Sequence, residues 1–115
     1  MDWNLLGETI SRETSDSTEY YGFWMPRGGD EGTFAVEVVN LQGGGFEAQI
    51  ETKNSEDADS SASVLGSAQA LSSAGVSKWT VTGAKEWVRY VIRPQSTGPA
   101  GSMHFQFVSP QWTPN

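Results

Sequence analysis

The chain contains no cysteine and a single histidine. The first absence excludes disulfide staples and thiolate metal sites. It also points toward an intracellular origin, because small secreted domains are commonly disulfide-bonded. The second leaves His104 with no other His and no Cys to complete a metal site or a nucleophile–base pair. His104 therefore reads as an edge or surface histidine on the polar side of a strand. No apolar run approaches the roughly 18 residues of a membrane-spanning helix. The opening residues, Met-Asp-Trp-Asn-Leu-Leu-Gly-Glu, lack the basic start and long apolar stretch of a secretory leader. Bases are scarce, 7 against 14 acids, for a net charge of −7. Such a chain lacks the basic footprint that a nucleic-acid backbone demands. Gly43-Gly44-Gly45 is not followed by the Lys-Ser/Thr pair and helix of a phosphate loop, so it reads as a hairpin turn.

Aromatics, by contrast, are plentiful: 5 Trp, 5 Phe and 3 Tyr in 115 residues. Large rings bury on the order of 150–250 Å² each, so a few of them can build the core of one small domain. The 13 glycines suit many short strands joined by tight turns. Side chains on a strand alternate between two faces, and that period recurs along the chain. Phe34, Val36 and Val38 share one face of a run that continues to Val39. Phe46, Ala48 and Ile50 share a face in the next run, with Glu47, Gln49, Glu51 and Lys53 outward. These two runs read as an antiparallel pair with one wet face.

The densest pattern lies between Trp79 and Trp112. Val88, Tyr90 and Ile92 alternate with Trp87, Arg89, Val91 and Arg93. Met103, Phe105 and Phe107 alternate with His104, Gln106 and Val108. With Gln95-Ser96-Thr97-Gly98-Pro99-Ala100-Gly101 between them, the two runs read as a hairpin with a long loop. Glu19 to Met25 reads as an aromatic-rich strand, and Gly7 to Glu13 as a short strand anchored by Ile10. Ala62 to Ala70 reads as a strand rather than a helical turn, for want of strong helix formers. Val76 to Val81 reads as a strand with Trp79 and Val81 inward. About eight short strands at spacings near ten to twelve residues predict an all-β antiparallel sandwich or jelly roll with almost no helix. The expected organisation is an N-terminal arm over 1–7, a sandwich over 8–110 and a tail over 111–115, with Pro110 and Pro114 expected to end regular structure and leave Trp112 in the tail.

Charge is uneven along the chain. Residues 1–59 hold 13 acids and 3 bases, and residues 60–115 hold 1 acid and 4 bases. If strands of both halves interleave, as a sandwich predicts, this asymmetry averages out. Acidic residues Glu56, Asp57 and Asp59 crowd one loop with Asn54 and Ser55. Oxygen ligands at such spacing can hold Ca²⁺, but the loop lacks the alternation and turn glycine of an EF-hand, and a solvated loop is expected. Glu13, Asp16 and Glu19 form a carboxylate cluster with little room for the cleft that glycoside hydrolysis needs. No catalytic residue, cofactor or metal ligand is expected, and the chain does not read as an enzyme. Trp3, Leu5, Leu6, Trp87 and Trp112 are the candidate partner contacts. Exposed rings of this kind anchor protein interfaces and also stack on sugars, which makes a carbohydrate-binding or adhesion module the alternative reading.

Three stretches carry a resemblance. Ile50-Glu51-Thr52-Lys53-Asn54-Ser55-Glu56-Asp57 is a strand ending in a K-N-x-E-D turn. Ala84-Lys85-Glu86-Trp87-Val88-Arg89-Tyr90 is a K-E-x-V-R-Y strand entry. Met103-His104-Phe105-Gln106-Phe107-Val108-Ser109-Pro110-Gln111-Trp112 is an aromatic strand closed by P-x-W. Together they resemble small structural proteins of tailed-bacteriophage virions. The resemblance implies a β-sandwich capsid cement or decoration protein, made in the host cytoplasm and located on the capsid surface. It implies the major capsid protein and further copies of the chain, as dimer or trimer, as partners, with no nucleic acid and no membrane. Many copies would reinforce capsomer junctions through individually weak contacts.

Overall fold

The computed structural model describes residues 5–13, 19–42, 46–94 and 101–113, with 5–13 described as backbone alone. Among the described residues, nine strands and one 3-10 turn follow in chain order: β1 (Leu5–Glu13), β2 (Tyr20–Tyr21), β3 (Met25–Pro26), β4 (Glu31–Gln42), β5 (Phe46–Lys53), the turn (Asp59–Ser61), β6 (Ser63–Leu71), β7 (Gly75–Thr82), β8 (Trp87–Pro94) and β9 (Ser102–Thr113). They form two antiparallel sheets packed together as a β-sandwich. One has the order β1-β9-β4-β7. The other has the order β2-β8-β5-β6, with β3 also pairing with β8. Each sheet draws strands from both halves of the chain, so the sequential charge asymmetry is interleaved.

The alternating runs meet as the period-two pattern requires. Phe34, Val36, Val38, Phe46, Ile50, Val81, Val88, Tyr90, Ile92, Phe105 and Phe107 are all buried, together with Trp79. Tyr90 of β8 lies flat on Phe107 of β9, with centroids 4.5 Å apart and planes within 5°. Phe34 meets Tyr90 and the Trp112 ring edge-on, each at 5.6 Å. Ring pairs of this geometry add roughly 0.5–1.5 kcal/mol each beyond area burial.

Two expected pairings are corrected. The runs over 88–93 and 103–108 do not form a hairpin: β8 pairs with β5, β2 and β3, whereas β9 pairs with β1 and β4. Likewise β4 pairs with β7 and β9 rather than with β5. Both connections carry the chain from one sheet to the other. The physical reason lies in the faces. Two strands that each present a dense apolar stripe bury more by facing each other across the sandwich than by lying side by side. The expected aromatic strand over 19–25 is also corrected to two short ladders, β2 and β3, separated by the irregular segment Gly22-Phe23-Trp24.

The domain boundaries shift as well. Leu5 and Leu6, expected in an arm, open β1, where they pair with Val108 and Phe107. At the other end, Pro110 does not stop the sheet. The β4–β9 register shifts between Thr33 and Ala35, so that Ser109 and Pro110 together oppose Phe34. A bulge tolerates proline because a ladder donor is not required there. Beyond it, β9 runs on to Thr113, and Trp112 pairs with Gly32. Trp112 is thus part of the sandwich rather than a tail, half-buried and packed on the core. A Cβ at Gly32 would lie 2.9 Å from both Phe34 and the Trp112 ring, so only glycine lets the β4 backbone come this close.

Tyr90 joins the sheets at this bulge. Its hydroxyl donates to the Val108 carbonyl at 2.6 Å and accepts from the Ala35 backbone N–H at 3.0 Å. Both backbone groups belong to the irregular part of the β4–β9 ladder, and Tyr90 reaches them from the opposite sheet. Burial pushes its phenol well above the ordinary range, against a smaller opposing effect of the Ala35 N–H.

Candidate functional site

The outer face of the five-stranded sheet carries a cluster of charged and aromatic side chains. Residues 51 and 53 of β5 point outward, and the register sets Glu51 beside Arg89 and Lys53 beside Trp87 of β8. Tyr21 of β2 lies opposite Val91, which is fully buried although it sits on this outward parity. The irregular segment after β2 then lays Trp24 over the same face.

The result is a stack of alternating rings and cations. The Arg89 guanidinium sits 4.1 Å from the Tyr21 ring centroid and 4.3 Å from that of Trp24. The Lys53 ammonium lies 5.0 Å from the Trp24 ring. Contacts of this kind contribute roughly 0.5–1 kcal/mol each when partly exposed. Carboxylates fix the cations in place. Arg89 donates to Glu51 Oε1 from Nε at 3.0 Å and from Nη2 at 2.8 Å. Arg93 donates to Gln49 Oε1 at 2.7 Å and pairs with Glu19. Lys53 donates to Asp59 Oδ1 at 2.6 Å and to the Asp57 carbonyl at 3.0 Å, and the Trp24 indole N–H donates to the same Asp59 oxygen at 3.1 Å. The hydrogen bond from Lys53 holds the Asp59 carboxyl below the usual range.

This places the acidic loop. Asp57 caps the Asn54 N–H at 2.9 Å, and Asp59 is occupied by Lys53 and Trp24. Among the described residues no group of three His, Cys, Asp or Glu is placed to hold a metal ion. Glu19 lies on Arg93, at the edge of the stack, while Asp16 and the Glu13 side chain lie outside the described residues. His104 sits half-buried on β9, between Ser11 of β1 and Asn40 of β4.

Two grooves open beside the stack. The smaller, about 290 Å³, lies between Trp24 and Trp87 with Lys53 and Ser55. The larger, about 490 Å³, shares Trp87 and Ser55 and continues to Pro26, Arg27 and Asn54. Lys85 and Glu86 complete its rim. Ser55 is tied down there, its N–H and hydroxyl both meeting Glu86 Oε1, at 2.8 and 3.1 Å. The Thr52 hydroxyl, buried, donates to the Trp87 carbonyl at 2.8 Å and accepts from the Lys85 N–H at 2.8 Å, which fixes the entry to β8. Arg27 donates to the Ala84 carbonyl at 2.9 Å.

Of the expected contact residues, Trp87 alone stands at these grooves. Trp112 is packed on the core at the Gly32 end, Leu5 and Leu6 are strand residues of the other sheet, and Trp3 lies outside the described residues. Tyr21 and Phe23, 44% and 60% exposed, are surface aromatics that the sequence reading did not single out. Tyr20, by contrast, packs against the core. The comparisons match the chain to no family model, no curated protein and no solved structure.

Proposed function

We propose that the chain is a non-catalytic structural protein that decorates a bacteriophage capsid and is held there by the outer face of its five-stranded sheet. The observation that carries the reading is a pair of exposed aromatics at that sheet. Tyr21 belongs to the ring–cation stack and is 44% exposed, and Phe23, next to Trp24 in the chain, is 60% exposed on the irregular segment between two short ladders. Large exposed rings flanked by arginine are the side chains on which protein interfaces concentrate their binding energy. Burying Phe23 against a shell would contribute roughly 1.5–3 kcal/mol before ordering costs. One such contact is weak, but it holds firmly when repeated over many copies on one lattice. The virion-protein resemblance of residues 50–57, 84–90 and 103–112 supports the capsid as that lattice.

The test begins with the neighbouring genes, which identify a capsid gene and so the shell to assay. Purified protein should then co-sediment with that shell in many copies, and Phe23→Ala should weaken the binding at least about tenfold with the melting temperature unchanged. Absence from purified virions and no co-sedimentation would refute the reading.

A further inference from the structure

The larger groove holds two bases that meet no carboxylate among the described residues. The chain has 7 bases in all, and 5 of them, Arg27, Lys53, Lys85, Arg89 and Arg93, lie on or beside the five-stranded sheet; Arg12 and Lys78 belong to the other sheet. Three of the five are matched by carboxylates: Lys53 by Asp59, Arg89 by Glu51 and Arg93 by Glu19. The remaining two, Arg27 and Lys85, line the groove, and neither takes part in a salt bridge among the described residues. Arg27 spends one N–H on the Ala84 carbonyl, and its other guanidinium N–H groups meet no partner among the described residues. The groove is lined as well by the apolar Trp87 and Pro26 and by the hydrogen-bonding residues Asn54 and Ser55. Glu86 lies on the rim with Oε1 occupied by Ser55, leaving Oε2 as an acceptor.

We infer that this groove binds an acidic sugar residue of a glycan. A pyranose ring needs a flat aromatic surface for its C–H face, and Trp87 provides one. Its hydroxyls need fixed donors and acceptors, which Asn54, Ser55 and Glu86 Oε2 supply. A carboxylate on the ring needs a cation able to bind it through paired N–H groups, and Arg27 with Lys85 meets that need. The charge balance selects for isolated carboxylates rather than a dense polyanion. The groove offers two cations unpaired among the described residues and one carboxylate, on a chain of net charge −7, so a nucleic-acid strand with one phosphate per nucleotide would be repelled by the surroundings. The inference does not rest on the capsid reading: the groove lies at the same sheet but is lined by neither Phe23 nor Tyr21, and its test uses the isolated chain.

Tryptophan fluorescence and NMR titration test it with four probes: 3′-sialyllactose, a hyaluronan tetrasaccharide, neutral lactose and an oligothymidylate. The expected result is saturable binding of at least one acidic probe, weaker binding of lactose, and loss of binding in Trp87→Ala. Lys85→Gln, at an exposed position where folding is not at stake, should weaken the acidic probe about tenfold and leave lactose unchanged. No saturable binding of either acidic probe overturns the inference. So does acidic binding that survives Trp87→Ala, which would be ionic attraction alone, or tighter binding of an oligothymidylate than of both acidic glycans.

Discussion

Replacing Tyr90 with phenylalanine removes one oxygen and little else. The ring keeps its stack on Phe107 and its edge contacts with Phe34 and Trp79. What is lost is the pair of bonds to the Ala35 N–H and the Val108 carbonyl, both buried. Neither group has an obvious substitute partner, because the β4–β9 ladder is irregular between Thr33 and Ala35. A buried backbone group left unpaired costs about 1–3 kcal/mol. Two of them give about 2–4 kcal/mol once partial relaxation is allowed, in a domain whose whole stability is of order 5–15 kcal/mol. Guanidinium denaturation should show a lower midpoint with an unchanged slope, and the melting temperature should fall by about 10 °C or more. Phe107→Leu is the companion variant: it removes the stack and keeps both hydrogen bonds. A Tyr90→Phe loss below about 0.5 kcal/mol would refute the reasoning, since it would mean that water or a ladder shift satisfies both groups without cost.

The same residue sets the alkaline behaviour. Burial raises the Tyr90 phenol above its unfolded value of 10.0. The folded state therefore holds the proton more tightly than the unfolded state, and the hydroxyl's contribution is complete below pH 10. It is lost as pH rises above that value, with a slope approaching about 1.4 kcal/mol per pH unit while only the unfolded phenol ionises. Tyr90→Phe should flatten this part of the stability–pH curve.

Four further outcomes are expected. Arg89→Met should destabilise by about 1–2 kcal/mol in chemical denaturation, because it separates Tyr21 from Trp24 and leaves the half-buried Glu51 without its main partner. Trp112→Ala should lower the stability of the isolated chain by about 2–3 kcal/mol, since the ring packs on Phe34 and under the Gly28 and Gly32 backbone; an unchanged melting temperature would return Trp112 to the partner contacts. The Asp59 carboxyl is held below its unfolded value of 3.8, so its bonds to Lys53 and Trp24 persist above that pH and are lost as pH falls through the lowered value; Trp24 fluorescence should report this acid step, and Asp59→Asn should abolish it. Deleting residues 1–6 should lower the melting temperature of the isolated chain, because Leu5 and Leu6 pair with β9; an unchanged value with loss of capsid binding would make these residues a docking arm.

Strand existence and facing were legible because period-two alternation is a local property. Phe34, Val36 and Val38, or Val88, Tyr90 and Ile92, announce both a strand and the side it buries without reference to any other part of the chain. Pairing was not legible, because alternation is the same whether the partner lies beside a strand or across the sandwich. The run over 46–53 illustrates the limit: its inward residues were plain, yet its neighbours proved to be β6 and β8 rather than β4. Pro110 misled for a related reason. A proline ends a regular ladder, and the bulge that accommodates it depends on where β4 shifts register. With β9 ending early on that reading, Trp112 was left without a core to enter.

Apart from Trp87, which the alternation had already turned outward, the candidate site was illegible for the same cause, one level up. Counted by halves, the sequence shows an acidic first part and a basic second part, and the fold cancels that contrast by placing strands of both halves in each sheet. A different asymmetry then forms in three dimensions. Arg27 follows β3, Lys53 ends β5, and Lys85 precedes β8; nothing in their spacing of 26 and 32 residues suggests proximity. They converge because β3 and β5 both pair with β8, so that Pro26 and Lys53 flank Trp87 at one rung. That single rung brings a proline, a lysine and a tryptophan together at the mouth of the grooves. A charge reversal at Lys85 or Arg27 should therefore alter ligand binding far more than one at Lys78, which has the same formal charge but lies on the other sheet. Equal effects from all three would show that net charge alone, and not the convergence at Trp87, governs what this surface attracts.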